Sequence, residues 1–232
     1  MNEEDSNKVW KRDTSTDYHL FQYDNEYESV KFLKEQIKDL EIKDILDIGC
    51  GAGSFCYHLL KVKNVKFYGI DINEKFINYA KEMNPESHFY CSCHNTYETK
   101  HDLVISSQVL LCVSPSYQKS FIENKFKLSN KYVMFHSLFT ESLLDFEIKI
   151  KDPYNNETVY YNILPVSRIE KIGESMGFKL IKNIEFEIKK ELEKPDKKGR
   201  KTYTVKTFDD KLLQFSDIIY LPSRLLVFKK NI

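Results

Sequence analysis

Ile45-Leu46-Asp47-Ile48-Gly49-Cys50-Gly51-Ala52-Gly53 runs from a short apolar stretch into a glycine turn, and the residues that follow have helical spacing. Four consecutive residues with three apolar members read as a buried strand. Glycines at 49, 51 and 53 remove side chains where the backbone must turn sharply and approach a ligand. The loop therefore lies at a strand's carboxyl end, where open α/β sheets bind their ligands. Asp47 stands two places before the first glycine and puts a carboxylate beside that turn.

Outward from this loop the chain alternates. Strand-like apolar runs at 44–48, 65–70, 87–91, 102–106 and 131–136 are interleaved with helical patterns at 53–61, 73–83 and 116–127. Alternation of this kind predicts a parallel sheet with helices on both faces, doubly wound because crossovers are right-handed. Upstream, Tyr27, Val30, Leu33, Ile37 and Leu40 share one helical face. Residues 1–40 are read as an N-terminal helical cap or lid, and 41–232 as the main domain. The last third changes character: a strand-rich insertion near 137–165 contains a turn at 152–156, and a short helix over 166–176 ends at Gly177. Extended stretches near 178–190 and 223–230 read as an antiparallel hairpin closing the sheet, with a charged turn at 194–201 between them.

The 232 residues fit one domain with insertions. Lys plus Arg number 35 and Asp plus Glu 35, a balance that argues against non-specific attraction to nucleic acid or acidic lipid. Five cysteines without framework spacing read as reduced thiols. No apolar run is long enough to span a membrane and the first thirty residues lack a signal-peptide core, so the expectation is a cytoplasmic protein. Cys91-x-Cys93-His94 invites a metal reading, but no second ligand pair follows, and no metal is expected.

A second strand ends in Tyr68-Gly69-Ile70-Asp71-Ile72-Asn73, the spacing of a carboxylate that accepts hydrogen bonds from ribose hydroxyls. A dinucleotide fold shares these features, but its loop wants glycine where Ser54 stands, and it has no use for Asp47 beside a pyrophosphate. S-adenosylmethionine carries a sulfonium and an ammonium and no phosphate, so an acid there is electrostatically sensible.

On these residues the resemblance is plain. Residues 45–55 resemble motif I of the class I S-adenosylmethionine-dependent methyltransferases, 68–73 their second motif, and Asp102-Leu103-Val104-Ile105-Ser106-Ser107-Gln108 their fourth-strand motif. The resemblance implies a Rossmann-like seven-stranded sheet, mostly parallel, with an antiparallel last strand. It implies S-adenosyl-L-methionine as donor and S-adenosyl-L-homocysteine as product. Asp47, Gly49, Cys50, Gly51 and Gly53 would hold the methionine part, Asp71 the ribose and Ile72 the adenine face. Cys93, His94 and Asn95 would lie at the adenine edge, and Ser106 and Gln108 beside the methyl group. Many members carry a histidine where Cys112 stands.

Methyl transfer needs an aligned acceptor, and a hydroxyl acceptor benefits from a base. His136, near the end of the fifth predicted strand, is the candidate base, with a structural strand-end histidine as the competing reading. His19 and Tyr23 on the cap, Tyr160, Tyr161 and Arg168 in or after the insertion, and Tyr203 and Arg224 in the terminal region are candidates for contacting the acceptor. Tyrosines so spaced also fit half-buried strands. The pattern from Lys201 to Lys229 looks similar to methyltransferases of surface-polysaccharide or sugar biosynthesis. The expectation is therefore an O-methyltransferase acting on a sugar-related small molecule. The alternatives are an RNA or protein methyltransferase, favoured if Lys197, Lys198, Arg200 and Lys201 joined a basic face, or a catalytically silent cofactor-binding subunit.

Overall fold

The structure is a computed structural model that describes residues 21–151, 158–193, 202–216 and 219–231. Its elements follow the predicted alternation. Helix α1 (Glu28–Ile37) precedes β1 (Asp44–Ile48), α2 (Ser54–Leu60), β2 (Lys66–Asp71), α3 (Glu74–Met83), β3 (His88–Cys91) and β4 (His101–Ser107). After a 3₁₀ turn at Leu110–Cys112 come α4 (Pro115–Lys127), β5 (Ser129–Thr140), β6 (Phe146–Lys151), β7 (Thr158–Pro165), α5 (Val166–Ser175) and β8 (Phe178–Glu185). The chain then forms β9 (Thr202–Lys206), β10 (Leu212–Ser216), β11 (Ile219–Tyr220) and β12 (Ser223–Lys230).

The main sheet runs β3-β2-β1-β4-β5-β12-β8, with the β6–β7 pair attached to β5. Strands β1 to β5 are parallel along this path, and β12 is antiparallel to both β5 and β8. The strand order reverses between β1 and β4, and this opens a crevice outside their carboxyl ends. The predicted terminal antiparallel pairing is present as β8–β12. Between its arms the chain makes a separate antiparallel sheet, β11-β10-β9, which sequence reading did not foresee. The predicted turns at 152–156 and 194–201 lie outside the described residues.

Period-two alternation distributes the core. Leu46, Val104 and Leu226 face one side with Phe121, Ile122 and Phe126 of α4 and Ile169 of α5. Their neighbours Ile45, Ile105 and Leu225 face the other side with Leu33 and Ile37 of α1, Phe55 and Leu59 of α2, and Ile77 of α3. Helix α1 thus belongs to a helical layer of the sandwich. Its described neighbours 21–25 cross to α2, where His58 Nε2 meets the Gln22 carbonyl at 3.0 Å and Ser54 Oγ donates to Gln22 Oε1 at 3.1 Å. Helix α5 ends where Gly177 takes φ +80°, a conformation that costs glycine nothing. Among the described residues no helix is long and apolar enough to cross a membrane.

Candidate active site

The glycine turn is tied to β2. The amides of Gly49 and Cys50 donate to the Ile70 carbonyl at 2.8 and 3.1 Å. Gly51 N donates to Asp71 Oδ2 at 2.9 Å, and Asn73 N donates to Asp71 Oδ1 at 2.9 Å. One carboxylate at the end of β2 therefore shapes both the loop after β1 and the entry to α3, where Asn73 caps the helix by accepting from the amides of Lys75 and Phe76. Gly49, Gly51 and Gly53 all have positive φ, at +78°, +53° and +85°. A Cβ on Gly49 would strike Val109 at 2.4 Å, while one on Gly51 would meet nothing within 4 Å. The first glycine is demanded by packing, and the second leaves open space above the loop.

Asp47 is 5 % exposed, and no described residue hydrogen-bonds its carboxylate. Burial pushes its pKa up to about 7; Lys125 pulls it down and Asp71 adds to the rise. Burial also raises Asp71, against the lowering pull of the amides it accepts from. The Cys50 side chain packs into the core on the α2 side of the sheet. Its thiol packs against Gly69, where a Cβ would sit 2.8 Å from the sulfur, and burial raises its pKa. The thiol also donates to the Gly51 carbonyl at 3.6 Å.

Ile72 is half-buried behind this turn, and its carbonyl accepts from Cys91 Sγ at 3.7 Å. Cys93 Sγ lies 3.5 Å from His94 Nδ1, and the His94 ring meets Phe121 edge-on at 4.9 Å. Asn95 Oδ1 accepts from Asn124 Nδ2 at 2.6 Å, which turns that side chain toward α4.

Ser106 was expected beside the methyl group. The pleat turns it into the core instead, where its hydroxyl accepts from Lys125 Nζ at 2.6 Å. Lys125 is fully buried, also donates to the Met134 carbonyl at 2.6 Å, and lies 3.8 Å over the Phe135 ring. Burial drives its pKa well below the ordinary lysine value. The sequence signal for this residue was present: Lys125 falls three and four residues after Ile122 and Phe121, on the apolar face of α4.

The neighbouring residue Ser107 faces His136 instead. Ser107 Oγ lies 2.8 Å from His136 Nδ1, and Ser223 Oγ lies 3.0 Å from His136 Nε2. Gln108 completes this network with Nε2 donating to Ser223 Oγ at 3.1 Å. Its backbone is held at φ +59°, a strained conformation for a residue with a Cβ. Its amide donates to the His136 carbonyl at 2.7 Å. His136 is buried, and burial lowers its pKa to about 4. Both ring nitrogens are engaged, which is the arrangement of a structural strand-end histidine more than of a free base.

Gln108 and His136 line a cavity of about 1110 Å³ that reaches from residues 21–31 to the small β9–β11 sheet. Tyr161 lies on this cavity, with its hydroxyl 3.5 Å from Ser216 Oγ. Several expected acceptor residues lie elsewhere. Tyr23 is buried behind the glycine loop, donating to the Ala52 carbonyl at 2.6 Å. Arg168 is engaged by Gln118 and Asp145, and Arg224 by Glu141 and Asn183. Tyr160 sits on β7 opposite Lys149, and Tyr203 stacks on Phe215 within the small sheet. His19 lies outside the described residues. Among the described residues no cluster of three potential metal ligands occurs.

The family model described as "Methyltransferase domain" matches residues 41–200. No curated protein matches the sequence. Among solved structures, magnesium protoporphyrin IX methyltransferase from Synechocystis with bound SAM superposes with a TM-score of 0.63 at 16% identity, covering 100% of each chain. A S-adenosylmethionine-dependent methyltransferase from Clostridium acetobutylicum gives 0.59 at 13% identity, over 92% of this chain and 97% of that one. The 1,6-didemethyltoxoflavin-N1-methyltransferase of Burkholderia thailandensis gives 0.58 at 10% identity, over 100% and 92%. These likenesses are of fold, and the family match is of sequence. With most of its length under that model, and its glycine loop and sheet order in place, the chain belongs to the methyltransferase-domain family.

Proposed function

We propose that the protein transfers a methyl group from S-adenosyl-L-methionine to an oxygen of a small-molecule acceptor. The observation that carries this reading is the turn itself: Gly51 open on its outer side, its amide fixed by Asp71, and beside it the buried Asp47 carboxylate, which no described residue hydrogen-bonds. A buried carboxylate that accepts no hydrogen bond from the described residues suits a cationic ligand, and these residues fit the donor. Bound there, S-adenosylmethionine supplies an electrophilic methyl group. Asp47 would meet its ammonium, and Asp71 would share its oxygens with the ribose hydroxyls. The acceptor oxygen would supply the lone pair for the new carbon–oxygen bond, sulfur would keep the pair of the broken carbon–sulfur bond, and a hydroxyl acceptor would pass its proton to water.

His136 is better read as a positioning residue than as the base. With a pKa of about 4 it is neutral at pH 7, yet it binds a proton too weakly to draw one from a hydroxyl efficiently. It holds Ser223 and Gln108 at the strand ends, and those two side chains offer the acceptor oxygen its hydrogen bonds. Calorimetry with S-adenosylmethionine and S-adenosylhomocysteine tests the reading. Micromolar binding of both is the expected result, and folded protein that binds neither overturns it.

A further inference from the structure

We propose that β6 is a self-association edge. Two copies of this chain pair their β6 strands antiparallel about a twofold axis at Ile148 and join their β6–β7 hairpins into one four-stranded sheet.

The edge is open. Among the described residues β6 pairs with β7 alone, so its other side presents a row of unpaired amides and carbonyls. It is also apolar. Phe146 is 43% exposed and Ile150 37%, and the turn before the strand carries Leu143 at 83% and Leu144 at 65%. Four of the eleven exposed large apolar side chains among the described residues thus fall within 143–150. Scattered apolar residues on a surface need no explanation, but a cluster along an open strand marks an interaction site. The start of the strand is fixed in place, because Arg168 Nη1 donates to Asp145 Oδ2 at 2.9 Å.

The order of charges names the occupant. A lysine on an edge strand ordinarily keeps other strands away, and β6 has Lys149. Glu147 stands two residues before it, on the same face, with Phe146, Ile148 and Ile150 on the other face. When a second copy lies antiparallel with Ile148 opposite Ile148, each Glu147 stands opposite the second copy's Lys149. Each Phe146 then stands opposite the second copy's Ile150. The twofold axis makes every contact twice, so both charges on each strand are matched. Opposite charges and aromatic–β-branched pairs directly across an antiparallel ladder stabilise it. Sliding one strand by two residues in either direction sets Glu147 against itself or Lys149 against itself. A slip of one residue sets charges against the apolar face. The sequence of this strand therefore selects one register with itself. Both charged side chains are exposed, and neither bonds a described residue.

The other described sheet edges do not share this order. Strands β3 and β11 carry neither lysine nor acid, and β9 has Lys206 without an acid. On β8 the side chains of Lys182, Asn183 and Glu185 are engaged by Gln36, Glu141 and Arg224. A single strand pair is smaller than a standard interface of about 1,200–2,000 Å², so the dimer is expected to form in the micromolar range.

The test is sedimentation velocity on the full chain at stepped concentrations from about 1 to 100 μM. The expected result is a shift from monomer to dimer across that range. Glu147→Lys and Lys149→Glu should each weaken dimerisation about tenfold or more, because each brings like charges face to face. The double variant Glu147→Lys, Lys149→Glu should recover it. An equal mixture of the two single variants should form a mixed dimer, since every cross-strand pair is then opposite in sign. Urea melts serve as the folding control, and exposed changes on one strand should leave them unaltered. A chain that stays monomeric throughout overturns the proposal and leaves the edge to a different partner. A dimer indifferent to both single changes overturns it too, because that dimer forms elsewhere. So does a double variant as weak as the single ones.

Discussion

Asp71 reaches back from the end of β2 to hold the Gly51 amide at 2.9 Å, so the shape of the glycine turn depends on a carboxylate twenty residues away. Its other oxygen takes the Asn73 amide. Asp71→Ala removes both bonds along with the expected ribose contact. Cofactor affinity should fall by about tenfold or more, since charge-assisted hydrogen bonds contribute about 1.5–3 kcal/mol each. Asp71→Asn keeps the shape but turns an NH₂ toward one of the two amides, and should recover little. Calorimetry with S-adenosylhomocysteine measures both; unchanged affinity in Asp71→Ala would remove Asp71 from the site.

Cofactor affinity should depend on pH through Asp47. Its pKa is raised to about 7, so the empty site holds a largely protonated carboxyl below neutrality. A cationic ligand needs the ionised form, and binding must then expel a proton. Affinity should fall by up to about tenfold per pH unit below pH 7. The sign for stability is opposite: the empty fold loses stability as pH rises from 3.8 to 7, because the unfolded chain's carboxyl ionises there while the buried one keeps its proton. Asp47→Asn should flatten both profiles. A wild-type binding curve that is flat between pH 5.5 and 8 would contradict this.

His136 carries the reverse linkage. Its pKa falls from 6.5 to about 4 on burial, so the unfolded chain binds more protons in this interval. The neutral ring's contribution is complete above pH 6.5 and is lost as pH falls through 4. The shift corresponds to about 3 kcal/mol. Urea melts at stepped pH should show the stability difference between wild type and His136→Asn shrinking across that window. Turnover should drop in the variant while S-adenosylhomocysteine affinity holds; normal turnover would show that the network of Ser107, Ser223 and Gln108 does not need the imidazole.

Tyr23 clasps the segment before α1 to the glycine loop. Its hydroxyl donates to the Ala52 carbonyl at 2.6 Å and accepts from Asn84 Nδ2 at 2.9 Å. Tyr23→Phe keeps the buried ring and loses both bonds, and stability should fall by about 1–2 kcal/mol. Because Ala52 lies within the loop, cofactor affinity should weaken as well. A variant that loses stability but binds S-adenosylhomocysteine normally would confine the clasp to a structural part.

The donor half of the molecule was legible because its information is local. The turn at 49–53, the strand end at Asp71 and the alternation of periods two and 3.6 lie within short windows, and they specified the family and the sheet. One step of the pleat was less legible: Ser106 and Ser107 are adjacent, and only pairing with β5 sends the first to Lys125 and the second to His136. Arg168 and Arg224 were plausible ligands for an acceptor until packing paired them with Asp145 and Glu141.

By itself the sequence determined a doubly wound sheet, a glycine turn between two carboxylates and the methyltransferase family, since each follows from contiguous residues and backbone periodicity. Tertiary structure alone decided the other half. It brought Gln108, His136, Tyr161, Ile188 and Ser223 onto one cavity from separate elements, added the β9–β11 wall, and buried Lys125 beneath the strand ends. The physical reason is that a side chain's exposure, partners and proton affinity are set by what packs against it, and those neighbours lie tens of residues away in the chain.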